Sequence, residues 1–354
     1  MQPDAIHQSS LQEDNQLGNY LQQINLSGVI SAAQNISPFV RRTPLIRSQV
    51  LSDRFGTNVY LKLEVLQSTG AFKVRGAFNR MLSLTEEQCG RGVVAVSGGN
   101  HAQAVAYAAR ELNTSAVILM PEFTPTNYLN ATQAYRAQVI LTKTLAQAFE
   151  YVTQYEDRGL TYIHPFDDPL VINGQGTIGL EIFEDLPQVT DVVLSIGGGG
   201  LAGGVGTSLK TLNPRVRIWG TETAGADSMA RALAAGEIVR LTNVTSIAHT
   251  LGAPAVSETT LALAERCLED VIVVTDEDAL DSLITLVSDC KVLTEPAASC
   301  TLVALEQLQD QFSDDNHVVL VLCGGNFAID DLFQCRMPVL GVDQWTKSAG
   351  VEAR

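Results

Sequence analysis

The sequence is poor in the features that mark a metal centre, a membrane span or a nucleic-acid surface. Its six cysteines (Cys89, Cys267, Cys290, Cys300, Cys323 and Cys335) form no CxxC pair, and its five histidines show no HExxH spacing. Zinc ribbons, metalloprotease helices and a disulfide framework are thereby excluded, and reduced thiols are expected. Lys and Arg total 23 against 39 Asp and Glu, a formal net charge of −16. A surface of that sign repels phosphate backbones and anionic lipid, so neither nucleic acid nor membrane is expected as a partner. No apolar run reaches membrane-spanning length, and Met1-Gln2-Pro3-Asp4 opens neither a basic region nor an apolar core. A cytoplasmic protein is the expectation. Only 18% of the 354 residues are charged and 45% are hydrophobic, enough apolar material for two lobes.

What the sequence does contain is a regular alternation. Near-continuous apolar runs occur at Val93–Val96, Val117–Met120, Val139–Leu141, Tyr162–His164, Val192–Ile196, Val216–Gly220, Val271–Val274 and Val318–Leu322, with helical-period segments between them. Such runs suit parallel strands buried on both faces. They predict an α/β fold of two doubly wound lobes of largely parallel sheet, the smaller inserted in the larger. The lobes are expected at 1–85 with 161–354, and at 86–160. Leu26–Phe39 reads as a helix ended by Arg41-Arg42-Thr43-Pro44, and the polar residues 1–25 as a mobile arm or an oligomer contact. In doubly wound folds the ligand sits beyond the carboxyl ends of the strands. The residues that follow each run are therefore the candidates for function.

The first candidate is Lys73, in Gln67-Ser68-Thr69-Gly70-Ala71-Phe72-Lys73-Val74-Arg75-Gly76-Ala77-Phe78. This stretch follows the strand-like run 59–64 and opens an amphipathic helix. Lys73 then stands in or near the first turn, where the macrodipole opposes its charge, and Ala71, Phe72 and Val74 remove water. Both effects lower an amine's pKa, and a neutral amine forms a Schiff base with a carbonyl. An isolated lysine is nonetheless more often a solvated surface residue. After Val93–Val96 comes Ser97-Gly98-Gly99-Asn100-His101-Ala102-Gln103, which suits either a small carboxylate or a helix cap. After Val192–Ile196 come Gly197-Gly198-Gly199-Gly200-Leu201 and Ala202-Gly203-Gly204. Their amides can wrap a phosphate at a helix N-terminus, or simply form a tight, close-packed turn. Gly198-x-Gly200-x-x-Gly203 also matches the dinucleotide fingerprint, with Glu222 at the spacing of a ribose-binding acid. After Val318–Leu322 comes Cys323-Gly324-Gly325-Asn326, whose thiol is either an inert core group or a neutral hydrogen-bond partner beside a cofactor.

A lysine for a Schiff base, a phosphate cradle, a carboxylate turn and a neutral partner for a ring nitrogen together describe a pyridoxal phosphate site. In these blocks, with His164-Pro165-Phe166-Asp167-Asp168 and Gly174-Gln175-Gly176-Thr177-Ile178-Gly179, the chain resembles the threonine dehydratase/serine racemase family. These are pyridoxal phosphate enzymes of fold type II, the type shared with the tryptophan synthase β-subunit. The likeness runs from about Thr43 to Leu332. It implies that Lys73 carries the cofactor and then acts as base, that Phe72 lies against the ring, and that Asn100 bonds the 3-oxygen. It also implies that Gly197, Gly198, Gly199, Gly200 and Leu201 hold the phosphate and that Cys323 faces the ring nitrogen, where the family usually has Ser. Ser97, Gly98, Gly99, Asn100 and His101 would hold the substrate carboxylate.

The implied activity is β-elimination of a β-hydroxy-α-amino acid, such as L-threonine or L-serine, to a 2-oxo acid and ammonia. A homodimer or homotetramer is expected. The alternatives are an amino-acid racemase, a β-replacement synthase, and a pyridoxal phosphate or dinucleotide sensor without turnover. Gly98 stands where the serine racemases place a second acid/base Ser, which disfavours racemisation. Glu222, with the Ala226 carbonyl, matches a cation ligand of some members, so a structural Mg²⁺ or Ca²⁺ is a further expectation. Tyr128 and His249-Thr250 depart from the family's common Lys and Asp-Gly, and the latter, near the expected mouth of the site, points to a substrate choice shifted from threonine toward another β-hydroxy amino acid.

Overall fold

A computed structural model describes residues 17–328 and 330–332. Its ten strands are β1 (Leu45–Arg47), β2 (Asn58–Lys62), β3 (Val93–Val96), β4 (Ala116–Pro121), β5 (Gln138–Thr142), β6 (Thr161–Tyr162), β7 (Asp191–Ser195), β8 (Arg217–Thr223), β9 (Asp270–Val274) and β10 (His317–Val321). They form a six-stranded sheet in the order β1-β2-β10-β7-β8-β9 and a four-stranded sheet in the order β5-β4-β3-β6. Every pairing is parallel except β1 with β2. All residues of β3 and β7 are buried, because helices cover both faces of each sheet. β6 pairs with β3 through residues 161 and 162, so the four-stranded sheet reaches past residue 160.

Several boundaries differ from the sequence reading, each for a visible reason. β6 stops at Tyr162 because His164 turns the chain: its Nδ1 accepts the N–H groups of Phe166 (3.3 Å) and Asp167 (2.7 Å). The helix after β3 starts at Asn100, directly after the glycine turn that caps it. Residues 17–25 are not a loose arm. Residues 17–22 are helical, Ile24 is buried, and the Tyr20 hydroxyl donates to the Asp167 carbonyl at 3.1 Å. Asn25 then caps the helix Leu26–Ile36 by accepting the Gly28 N–H at 2.9 Å. Residues 1–16 and Cys335 lie outside the described residues. No helix among the described residues is long and apolar enough to cross a membrane.

The helix Pro169–Asp185 joins the two halves of the site. Asp168 caps it, accepting from Leu170 N (2.8 Å) and Val171 N (3.1 Å), with Pro169 in its first turn. It runs against the helices Val74–Met81 and Gly200–Leu212. The approach is close enough that a Cβ at Gly204 would lie 2.3 Å from the Ile172 carbonyl. Beneath this junction lies a buried ion cluster. Arg75 bonds Glu64 through Nε and Nη2 (both 2.8 Å) and Glu181 through Nη1 (2.7 Å) and Nη2 (2.9 Å). Lys62 Nζ adds bonds to Glu181 (2.6 Å) and the Thr43 carbonyl (2.7 Å). Two cations meet two carboxylates, so the cluster is neutral. Burial raises the Glu64 pKa, but the Arg75 charge and hydrogen bonds outweigh it and hold the carboxyl below its ordinary value.

Candidate active site

Lys73 sits where β2 and its following turn deliver the chain to the helix Val74–Met81, as that helix's N-cap residue. The approach to it is fixed on both sides: Ala71 bridges to Gly324, and Phe72 N donates to the Cys323 carbonyl at 2.9 Å. Lys73 Nζ donates to the Pro165 carbonyl at 2.8 Å and lies 5.2 Å from the Phe72 ring centre. Among the described residues it makes no salt bridge to a carboxylate. Burial therefore lowers its pKa from 10.5 to about 8, slightly opposed by Cys323. Two neutral imidazoles share this space. Burial, then the Lys73 charge, pushes His101 down to about 3; burial pushes His164 down to about 4.

The turn after β3 is brought to the same cleft. Ser97 Oγ accepts the Gly99 N–H at 3.1 Å, curling the chain into the helix Asn100–Glu111. The first N–H groups of that helix have no intrahelical acceptor, so they can bind an anion. A Cβ at Gly98 would lie 2.6 Å from Thr124 Oγ1, so the position has no room for a side chain as it stands. His101 differs from expectation in one respect. Its Nε2 donates to the Ile163 carbonyl at 2.9 Å, so the ring is spent on that contact and only its backbone N–H faces the turn. Asn100 is buried, with Oδ1 accepting from Asn326 Nδ2 (2.8 Å) and Nδ2 donating to Glu295 Oε1 (2.7 Å).

After β7 the chain runs through Ile196 into the glycines. Gly199 adopts φ +92°, a left-handed conformation that disfavours any side chain, and caps the helix Gly200–Leu212. A Cβ at Gly198 would lie 2.1 Å from the Phe166 ring, so this glycine serves packing as well as any cradle. Cys323, at the end of β10, is buried with Sγ 3.2 Å from Ser195 Oγ. Burial raises the Cys323 pKa, so the group is a neutral thiol. Glu222 already has partners: its carboxylate accepts the N–H groups of Met229 (3.0 Å) and Ala230 (2.8 Å) at a helix start. Burial raises its pKa to about 8. Among the described residues no group of three or more His, Cys, Asp or Glu is placed to hold a metal, so the expected Mg²⁺ or Ca²⁺ gains no support.

Glu295 and Asn326 were assigned no role from the sequence. Glu295 is buried and accepts from Asn100 and from Thr250 Oγ1 (2.8 Å), Asn326 N (3.2 Å) and the Tyr128 hydroxyl (3.4 Å). Burial raises its pKa against those four bonds. A cavity of about 210 Å³ opens beside it, walled by Tyr128, His249, Thr250, Phe327 and Asp331. A local signal was absent, because these partners lie 31 to 195 residues from Glu295.

The residues present fit pyridoxal phosphate. An enclosed amine without a counter-ion, a glycine turn that opens a helix, and a neutral buried thiol are the donor set that cofactor needs. Comparison with known proteins agrees. A model of the pyridoxal-phosphate dependent enzyme family matches residues 36–324. The L-threonine ammonia-lyase of Thermotoga maritima is 38% identical over 309 residues, 87% of this chain and 77% of that protein. The structure of the processed form of threonine deaminase isoform 2 from Solanum lycopersicum superposes with a TM-score of 0.84 at 32% identity, covering 93% of this chain and 89% of that one. Maize serine racemase superposes with a TM-score of 0.82 at 32% identity, covering 90% and 99%.

Proposed function

The chain belongs to the pyridoxal-phosphate dependent enzymes and is an ammonia-lyase acting by β-elimination; from that premise we propose that its substrate is a small β-hydroxy-α-amino acid, L-threonine or L-serine, converted to a 2-oxo acid and ammonia. When bound, the cofactor supplies an electrophilic carbon for an amine and a conjugated sink for negative charge at the substrate α-carbon. The observation that carries the proposal is Lys73, an amine enclosed without a carboxylate partner and lowered to about 8.

Each residue then has a task set by its surroundings. Lys73 Nζ anchors the cofactor and, once freed as a neutral amine, takes the α-proton. The helix-start N–H groups of the Ser97–His101 turn and the Ser97 hydroxyl orient the α-carboxylate. Asn100 Nδ2 gives one proton to Glu295 and has a second for the 3-oxygen. The amides of Gly197 to Gly200, with Leu201, hold the phosphate, and Phe72 packs on the ring. Cys323 faces the ring nitrogen as a neutral group and so supplies no charge to keep it protonated. Gly98 brings no second acid/base, which favours elimination over racemisation. A cytoplasmic homodimer or homotetramer accords with this function.

The test mixes the purified protein with L-threonine, L-serine and bulkier β-hydroxy amino acids, following oxo acid, ammonia and the visible band together. Oxo acid and ammonia in equal amounts are expected. A spectral change without oxo acid would overturn the assignment in favour of racemisation or replacement.

A further inference from the structure

An amide looks much the same from either end, so the direction of Asn100 depends on what its neighbours can donate or accept. The series of partners starts at a group with no choice. The Thr69 carbonyl can only accept, and Asn326 Nδ2 donates to it at 2.7 Å. The same nitrogen gives its other proton to Asn100 Oδ1 at 2.8 Å. Asn100 Nδ2 must then face the other way, where Glu295 Oε1 accepts it at 2.7 Å. Glu295 is itself held: the rigid backbone N–H of Asn326 sits on Oε2 at 3.2 Å, and Thr250 Oγ1 donates to Oε1 at 2.8 Å. Gly70 makes the arrangement possible. At φ +70° it passes so close that a Cβ would lie 2.5 Å from Asn326 Oδ1.

We propose that Glu295 and Asn326 are positioning residues that fix the polarity of Asn100, so that its second N–H, and not its carbonyl, faces the cofactor's 3-oxygen. The proposal rests on the reading that Asn100 meets that oxygen. An N–H in this place stabilises the unprotonated 3-oxygen, which gives the bound cofactor its long-wavelength visible band. A carbonyl in the same place favours the protonated oxygen and the near-ultraviolet band. Thr69 lies four residues before Lys73, so the two ends of the cofactor's reactive edge are set by one segment of chain.

The experiment is the absorption spectrum of the purified holoenzyme at one pH, for the wild type and a small set of variants. In Glu295→Gln the Asn326 N–H keeps the new side-chain oxygen on its own side, so the amide nitrogen faces Asn100. Adding Asn326→Leu removes the remaining donor to Oδ1 and lets Asn100 turn over. The double variant is expected to lose about fivefold in the ratio of visible to near-ultraviolet band, the size of one neutral hydrogen bond. Asn100→Ala is expected to show the same loss, with no further loss when all three changes are combined. Glu295→Asp, which keeps an acceptor, is expected to keep the band. An unchanged ratio in the double variant would overturn the proposal, as would additive losses with Asn100→Ala or loss of the band in Glu295→Asp. If Asn100→Ala itself leaves the ratio unchanged, the assignment of Asn100 to the 3-oxygen fails, and the proposal with it.

Discussion

At the scale of single residues the site is an exercise in keeping groups neutral. Lys73, His101 and His164 are all pushed toward their uncharged forms by burial, and Cys323 toward its thiol. For Lys73 this has a measurable sign. Below about pH 8 the ammonium predominates, and each unit downward cuts the neutral fraction about tenfold; above about 8 the amine is already free. Rebinding of the cofactor to protein stripped of it should speed up with pH and level off near 8, as followed by stopped-flow absorbance. A rate still climbing toward pH 10.5 would mean an unperturbed lysine. Lys73, Asn100 and the four glycines could be read from the sequence because each lies in a contiguous motif at a strand end. Glu295 could not: its partners Asn100 and Tyr128 lie 195 and 167 residues away, and nothing in Thr294-Glu295-Pro296 announces them.

At the scale of elements, the strand runs were legible because burial on both faces leaves an apolar stretch with few rival interpretations. The helix ends and the shortest strand were less so. β6 loses Ile163 and His164 to a turn closed by one imidazole, and the N-terminal 17–22 helix is polar enough to read as an arm. Asp168 carries two duties at the start of the helix Pro169–Asp185, capping it and pairing with Arg80 at 2.9 Å. Asp168→Ala should cost about 1–2 kcal/mol in urea unfolding, the usual worth of a cap with a partly buried pair. No loss would show that the cap is replaceable by solvent. The buried cluster is a stronger dependency. Arg75→Leu strands Glu64 and Glu181 with only Lys62 left as cation, and should destabilise by about 3–5 kcal/mol in the same measurement. A loss under about 1 kcal/mol would mean that the cluster relaxes or protonates at little cost.

At the scale of the whole molecule, the two sheets are parallel but for β1, and the candidate segments at Lys73, Ser97–His101, Gly197–Gly200 and Cys323 follow the carboxyl ends of β2, β3, β7 and β10. That placement follows from the doubly wound topology, which the strand alternation already indicated. The choice of substrate is less legible, since the cavity beside Glu295 draws its walls from residues 125 to 331. Glu295 and Asp331 line it, and among the described residues His249 is the one basic side chain on its wall, so the molecule should disfavour an acidic side chain. Turnover of 3-hydroxyaspartate is expected to fall about a hundredfold below that of L-threonine in kcat/KM, the effect of placing like charges together. Equal turnover would place the substrate side chain elsewhere.

The most direct test of the account is to reduce the yellow holoenzyme with borohydride, digest it and locate the cofactor by mass spectrometry. The account predicts the pyridoxyl group on the peptide containing Lys73, and no covalent label in Lys73→Ala. A label on another lysine, or none on the wild type, would contradict it.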